Sequence, residues 1–146
     1  MDGRGSILAG ALSLGISSLG MLLPIAAGAQ TFEPIKPMDT AGVDKAMLDD
    51  VFGRYEIRDA TGKKKCRIIL KRDYMIGGMQ IEVAKDCAAQ FPVMGEITAW
   101  RLMESWTIDL VDALRKTRVR FQTPDERYVA IPEVDGMDEL FKLPAR

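Results

Sequence analysis

The sequence contains no histidine and only two cysteines in 146 residues. Histidine is the usual general base, the usual partner of serine and cysteine nucleophiles, and a common zinc ligand. Its absence therefore excludes those forms of catalysis and that kind of metal site. Two cysteines are also too few for a four-thiolate zinc site. The sequence predicts a protein that is not an enzyme and that uses no metal or other cofactor.

An excess of charge of one sign is also missing, since 20 lysines and arginines stand against 21 aspartates and glutamates. This balance gives no support for a nucleic-acid partner or for an anionic membrane surface. Two basic clusters are present, residues 63–65 and residues 115–120. We interpret the first as a solvated hairpin turn and the second as the outward face of a strand. The alternative is that either cluster binds an anion, a lipopolysaccharide phosphate or an acidic partner.

Residues 1–29 have the pattern of a cleavable signal peptide. Arg4 precedes an apolar run over residues 7–26, and Ala27-Gly28-Ala29 supplies the small residues that signal peptidase requires. We expect cleavage before Gln30, a periplasmic or secreted location, and no stable membrane insertion afterwards. The alternative is an uncleaved anchor, because the apolar run is long enough to span a bilayer. No cysteine lies near the cleavage point, so a lipid anchor is not predicted.

Residues 30–42 are predicted to form an extended N-terminal arm. Pro34 and Pro37 exclude a helix and favour a polyproline-like path. Two interpretations stay open, a disordered leader and a stiff arm that another protein can grip. A short helix follows, with Asp39 or Thr40 as its cap and one apolar side, which is formed by Val43, Met47, Leu48 and Val51.

From residue 53 onward, apolar residues alternate with polar ones, which is the period of half-buried β-strands. Eight short runs of this kind leave no room for crossover helices. We therefore predict that residues 43–146 form an all-β domain, an eight-stranded antiparallel up-and-down barrel with a short N-terminal helix. Such a barrel is filled by side chains or holds one small ligand. We favour a filled core that contains the bulky residues Tyr55, Trp100, Trp106, Phe121 and Phe141.

The two cysteines are predicted to form a disulfide. Cys66 begins one predicted strand and Cys87 ends another. Export would place them in an oxidising compartment, where an even pair indicates a cystine. Closing a loop of about 20 residues would stabilise the fold by roughly 3 kcal/mol in the chain-entropy model. That is a large share of the stability of a domain of this size.

Several short segments, taken in order, carry a family resemblance: Gly53-Arg54-Tyr55-Glu56-Ile57, Lys65-Cys66-Arg67-Ile68-Ile69-Leu70, Asp86-Cys87 followed by Phe91-Pro92, Thr98-Ala99-Trp100-Arg101, Ile108-Asp109-Leu110-Val111-Asp112 and Val119-Arg120-Phe121. Together, over residues 51–143, they resemble the bacterial alkaline-protease inhibitor family, the periplasmic inhibitors of serralysin-type zinc proteases. The resemblance implies an eight-stranded barrel with one disulfide, a helix beside it, and an N-terminal trunk that enters the protease cleft and approaches the catalytic zinc.

By this resemblance, the protease-binding trunk consists of Gln30, Thr31, Phe32, Glu33 and Pro34. Three features differ from the family pattern. The trunk starts with a glutamine, which can cyclise, rather than with a small residue. The linker before the barrel is longer, and an arginine, Arg115, stands where family members have a glycine after Asp112.

The leading hypothesis is a monomeric, stoichiometric inhibitor of a secreted zinc metalloprotease, with the zinc belonging to the target. The alternative is a non-inhibitory envelope barrel that carries a small apolar ligand or docks on an outer-membrane protein. A barrel interior filled by Trp100, Trp106 and Phe121 would favour the first hypothesis, and a continuous cavity would favour the second.

Overall fold

The computed structural model describes Gly10 and residues 30–145. Apart from Gly10, the predicted signal peptide lies outside the described residues. The described part contains one helix of two turns, α1 (Lys45–Val51), and a second single-turn helix, α2 (Cys87–Gln90). Its strands are β1 (Gly53–Asp59), β2 (Lys65–Met75), β3 (Gly78–Val83), β4 (Ile97–Met103), β5 (Thr107–Asp112), β6 (Thr117–Gln122), β7 (Tyr128–Ala130) and β8 (Met137–Lys142).

The strands form a closed antiparallel barrel in which each strand pairs with its neighbours in the sequence. Closure is made by β1, which pairs with β2 on one edge and with β8 on the other. Tyr55, for example, lies opposite Ile68 of β2 and opposite Lys142 of β8. The predicted all-β, eight-stranded up-and-down barrel is therefore confirmed. Because the sheet closes on itself, its strands leave few unpaired backbone groups at exposed edges.

Side chains fill the barrel interior. Cross-strand neighbours such as Trp100 and Leu110, or Ile108 and Phe121, point inward as pairs and are fully buried. The polar ends of the large rings are satisfied: the indole Nε1 of Trp100 donates to the Lys71 carbonyl at 2.9 Å. Likewise, the buried Tyr55 hydroxyl donates to the Val51 carbonyl at 2.7 Å.

Two of the aromatic residues expected in the core lie elsewhere. Trp106 is only partly buried, because it belongs to the turn between β4 and β5 and not to β5 itself. Ser105 and Trp106 both have positive φ, 58° and 60°, which takes the indole out of the strand alternation. Phe141 is 40% exposed on the outside of β8, where the Arg58 guanidinium stacks 3.9 Å from its ring centroid.

Helix α1 lies beside the barrel, but its cap differs from the predicted one. Asp44 accepts hydrogen bonds from the backbone N–H groups of Ala46 and Met47, at 2.8 and 3.3 Å. Asp39 instead accepts from the Ala41 N–H in the preceding turn. The helix buries Val51 against the barrel, whereas Met47 is 57% exposed.

The disulfide between Cys66 and Cys87 is present. It joins the start of β2 to α2, which belongs to the connection between β3 and β4. Cys87 thus lies on a helical turn, after β3 has ended at Val83. Among the described residues, none of the helices is long and apolar enough to cross a membrane.

Candidate functional site

The predicted arm lies against the outer wall of the barrel. Phe32, Ile35 and Met38 are partly buried, whereas the other residues between Gln30 and Thr40 are exposed. This spacing of three matches the three residues per turn of a polyproline II helix, which Pro34 and Pro37 favour. One apolar side of the arm therefore packs on the wall while its polar side faces water. The sequence contains this period of three, which the prediction of the arm overlooked.

The root of the arm, residues 36–38, pairs with the end of β4. The Met38 N–H donates to the Leu102 carbonyl at 3.1 Å, and the Glu104 N–H donates to the Lys36 carbonyl at 2.9 Å. Pro37 lies opposite Met103, a position at which its missing N–H is not needed. This edge of β4 is available because β3 pairs with β4 only through Ala99 and Trp100.

The distal arm is held by side chains of the barrel instead of by strand pairing. Arg120 Nη1 donates to the Glu33 carbonyl at 2.6 Å. The same guanidinium lies 5.5 Å from the ring centroid of Phe32, a cation–π distance. The Gln30 side chain donates to the Glu133 carbonyl at 3.3 Å. The segment predicted to bind a protease is therefore docked along its length.

Arg120 and Asp109 form a buried ion pair beneath the arm, and we call this pair the clamp. They are directly opposite each other on β6 and β5. Arg120 Nε and Nη2 donate to the two Asp109 carboxylate oxygens at 2.7 and 2.8 Å, and the Thr117 hydroxyl donates to Asp109 at 2.9 Å. Their side chains are only 5% and 1% exposed. The pair is buried beneath the arm, which covers this part of the wall.

The comparison with protein-family models decides the family. The model of the family described as Protease inhibitor Inh matches residues 45–140, from helix α1 into β8. The chain belongs to this family. The predicted resemblance to bacterial protease inhibitors is thus confirmed, and the family implies a protease as the partner. No curated protein and no solved structure matches the chain.

The part of the chain that matches the Inh model includes the clamp and the cystine but not the arm. The predicted trunk residues, Gln30 to Pro34, therefore lie outside the matched region. Their assignment stays a prediction from the family resemblance, since the family model does not cover them. Among the described residues, no group of three or more Asp, Glu or Cys side chains is placed to hold a metal ion.

The rest of the predicted basic cluster on β6 is engaged in ion pairs and a turn. Arg118 pairs with Asp112 at 3.2 Å and with Glu96 at 2.6 Å. Asp112 also accepts from the backbone N–H groups of Leu114 and Lys116. These bonds, above all the one from Lys116, lower the pKa of the Asp112 carboxyl. This arrangement forms the turn before β6, in which Arg115 adopts the left-handed φ of 63°.

The sequence analysis missed the clamp because it interpreted Arg120 only as part of the outward face of a strand. The direction was right, since Arg120 does point away from the barrel interior. The register of the β5–β6 hairpin places Asp109 opposite Arg120, but this register includes a bulge between Leu110 and Val111 that the alternation of residues does not reveal. What the sequence did not reveal is that the pair is covered by the arm, in which Glu33 is 87 residues from Arg120.

Two surface features of this Inh-family barrel remain exposed. A groove of about 310 Å³ lies between the arm root, α1 and the β2–β3 hairpin, with Met38, Phe52 and Met79 in its lining. The tip of that hairpin exposes Tyr74 and Ile76, by 86% and 81%. Both features are on the outside of the barrel, whereas Trp100 and Phe121, expected to fill its interior, are fully buried there.

Proposed function

We propose that the chain is a stoichiometric inhibitor of a secreted, serralysin-type zinc metalloprotease. Membership of a protease inhibitor family is the observation that carries this proposal. The catalytic zinc belongs to the target, and the chain acts by binding and not as an enzyme. The periplasm, or the medium after export, is where it would meet such a protease.

The inhibitory element in this proposal is the arm, residues 30–34. Protease clefts bind peptides in extended conformations, and Pro34 and Pro37 hold this segment extended before it meets a target. A segment that is already extended loses less conformational entropy on binding. The pairing of residues 36–38 with β4 fixes the arm to a closed barrel that a disulfide also stabilises, so the protease cannot draw the chain further into its cleft.

Titration of a purified serralysin-type protease with protein that starts at Gln30 tests the proposal. We expect activity to fall linearly to zero near one inhibitor per protease. Deletion of residues 30–33 should abolish inhibition, because it removes the cleft-binding segment while the root pairing and the barrel remain. Circular dichroism and an intact Cys66–Cys87 disulfide provide the folding control. Full potency of the deletion variant would refute the arm mechanism.

A second candidate function is docking on an envelope protein without inhibition. The exposed Tyr74 and Ile76 at the β2–β3 hairpin favour it, because large apolar side chains clustered at a tip are typical of protein contacts. The filled barrel interior favours this version over a carrier of a small apolar ligand. Absence of inhibition at equimolar protein, with the disulfide intact, would favour docking over the leading proposal.

A further inference from the structure

The docked arm and a cleft-bound arm exclude each other. Phe32 packs against the wall, and the Glu33 carbonyl accepts a hydrogen bond from Arg120. A protease cleft binds an extended peptide through its backbone and surrounds its side chains. The same carbonyl and the same ring cannot occupy both places, so the distal arm must leave the wall before it enters a cleft.

The clamp is built to hold the arm in place. Asp109 binds Arg120 through Nε and Nη2, which fixes the guanidinium plane and leaves Nη1 directed at the Glu33 carbonyl. An arginine held in this way loses little rotamer freedom when it binds the arm. The root pairing at residues 36–38 does not depend on these contacts. The distal arm can therefore open about Pro34 and Ile35 while its root stays attached.

We propose that Arg120, positioned by Asp109, is a latch that keeps the inhibitory arm docked, so that the free inhibitor is mainly a closed form in equilibrium with an open, cleft-binding form. This inference depends on the proposed function. Only the open form binds the protease, so the apparent dissociation constant is the intrinsic one divided by the open fraction. A hydrogen bond to a charged group shifts such an equilibrium by roughly tenfold or more.

The variant that tests the latch leaves the arm sequence unchanged. Asp109→Leu combined with Arg120→Met removes both charges together, which buried ion pairs tolerate far better than the loss of one partner. Arg118→Met is the matched control, since Arg118 is on the same strand and pairs with Asp112 and Glu96. Arg120→Lys serves as a second variant. It keeps the positive charge beside Asp109 but loses the planar guanidinium, which can bind Asp109 and the Glu33 carbonyl at the same time.

Opening of the arm is measured with chymotrypsin, an enzyme unrelated to the proposed target. Cleavage after Phe32, followed by mass spectrometry, requires the ring to leave the wall, and its rate tracks the open fraction. Cleavage after Tyr74, which is 86% exposed, provides an internal control. We expect the double variant to be cut at Phe32 about tenfold faster than the parent and Arg120→Lys to be cut faster by a smaller factor. Arg118→Met should match the parent, and cleavage at Tyr74 should be the same in all four proteins.

Inhibition of the target protease gives the second readout. The double variant should associate with the protease faster, by about the factor seen in arm cleavage. Unchanged cleavage at Phe32 in both Arg120 variants would overturn the latch. Faster cleavage at Phe32 combined with weaker inhibition would also overturn it, because the docked arm would then be the form that inhibits the protease. If none of the proteins inhibits the protease, the proposed function fails, and the cleavage rates alone decide whether Arg120 holds the arm.

Discussion

The clamp makes a sharp prediction for the free energy of unfolding of Arg120→Ala. Asp109 is 1% exposed and now accepts hydrogen bonds from Arg120 Nε, Arg120 Nη2 and the Thr117 hydroxyl. Without Arg120, its carboxylate keeps only the bond from Thr117 and remains buried beneath the arm. Removing one partner of a buried ion pair costs about 3–5 kcal/mol, because the other charge is left uncompensated. We expect Arg120→Ala to lower the free energy of unfolding by this amount.

Urea unfolding at neutral pH, followed by tryptophan fluorescence with the disulfide intact, measures this cost. The fully buried Trp100 provides a signal that changes when the barrel opens. The Asp109→Leu/Arg120→Met double variant should unfold close to the parent, since no buried charge is stranded. Arg118→Ala is the control: its side chain is 38% exposed, so its ion pairs are worth at most about 1 kcal/mol.

Removal of the arm provides a second test of the same prediction. Deletion of residues 30–33 removes the Glu33 carbonyl and uncovers the clamp, so water can reach Asp109. The cost of Arg120→Ala should therefore be smaller in the deletion background than in the intact chain. The reasoning is refuted if Arg120→Ala costs no more than Arg118→Ala in the intact chain, since the pair would then be hydrated despite its low exposure.

Two further outcomes follow from the disulfide and from the β5–β6 turn. Replacing Cys66 and Cys87 by alanine opens a loop with a sequence separation of 21, which should lower the free energy of unfolding by about 3 kcal/mol in urea titrations under identical buffer conditions. The pKa of Asp112 is lowered in the folded state, chiefly by the Lys116 N–H, so its contribution to stability is present above its unfolded pKa of about 4 and lost as pH falls below it. Thermal unfolding midpoints of the parent should decline below about pH 4, and an Asp112→Asn variant should decline less.

Much of the barrel was predictable because each strand carries its own signal. The alternation through Tyr55 and Ile57, and again through Ile68 and Leu70, marks an inward face without reference to any other strand. The same rule failed at Trp106 because a turn with two left-handed residues interrupts the alternation just before β5. A period of two predicts the facing of a side chain only where the strand is continuous.

The clamp and the docking of the arm were not predictable in the same way. Every residue of β5 is buried, on both faces, although one face points away from the barrel interior. At Asp109 the arm lies over this outer face, a long-range contact that no local pattern encodes. The period of three in Phe32, Ile35 and Met38 indicates that the arm has an apolar side, but it does not identify the surface that this side covers.

The pairing of residues 36–38 with β4 also sets a limit on where the chain can be shortened. These residues occupy backbone groups of Leu102 and Glu104 that β3 does not reach. A truncation that stops at Glu33 leaves the pairing between residues 36–38 and β4 intact. One that continues through Met38 turns this part of β4 into an open strand edge, onto which a strand from another molecule can add. A deletion that stops at Glu33 therefore keeps the edge of β4 paired, whereas one that includes Met38 leaves this edge free to pair with a strand of a second barrel.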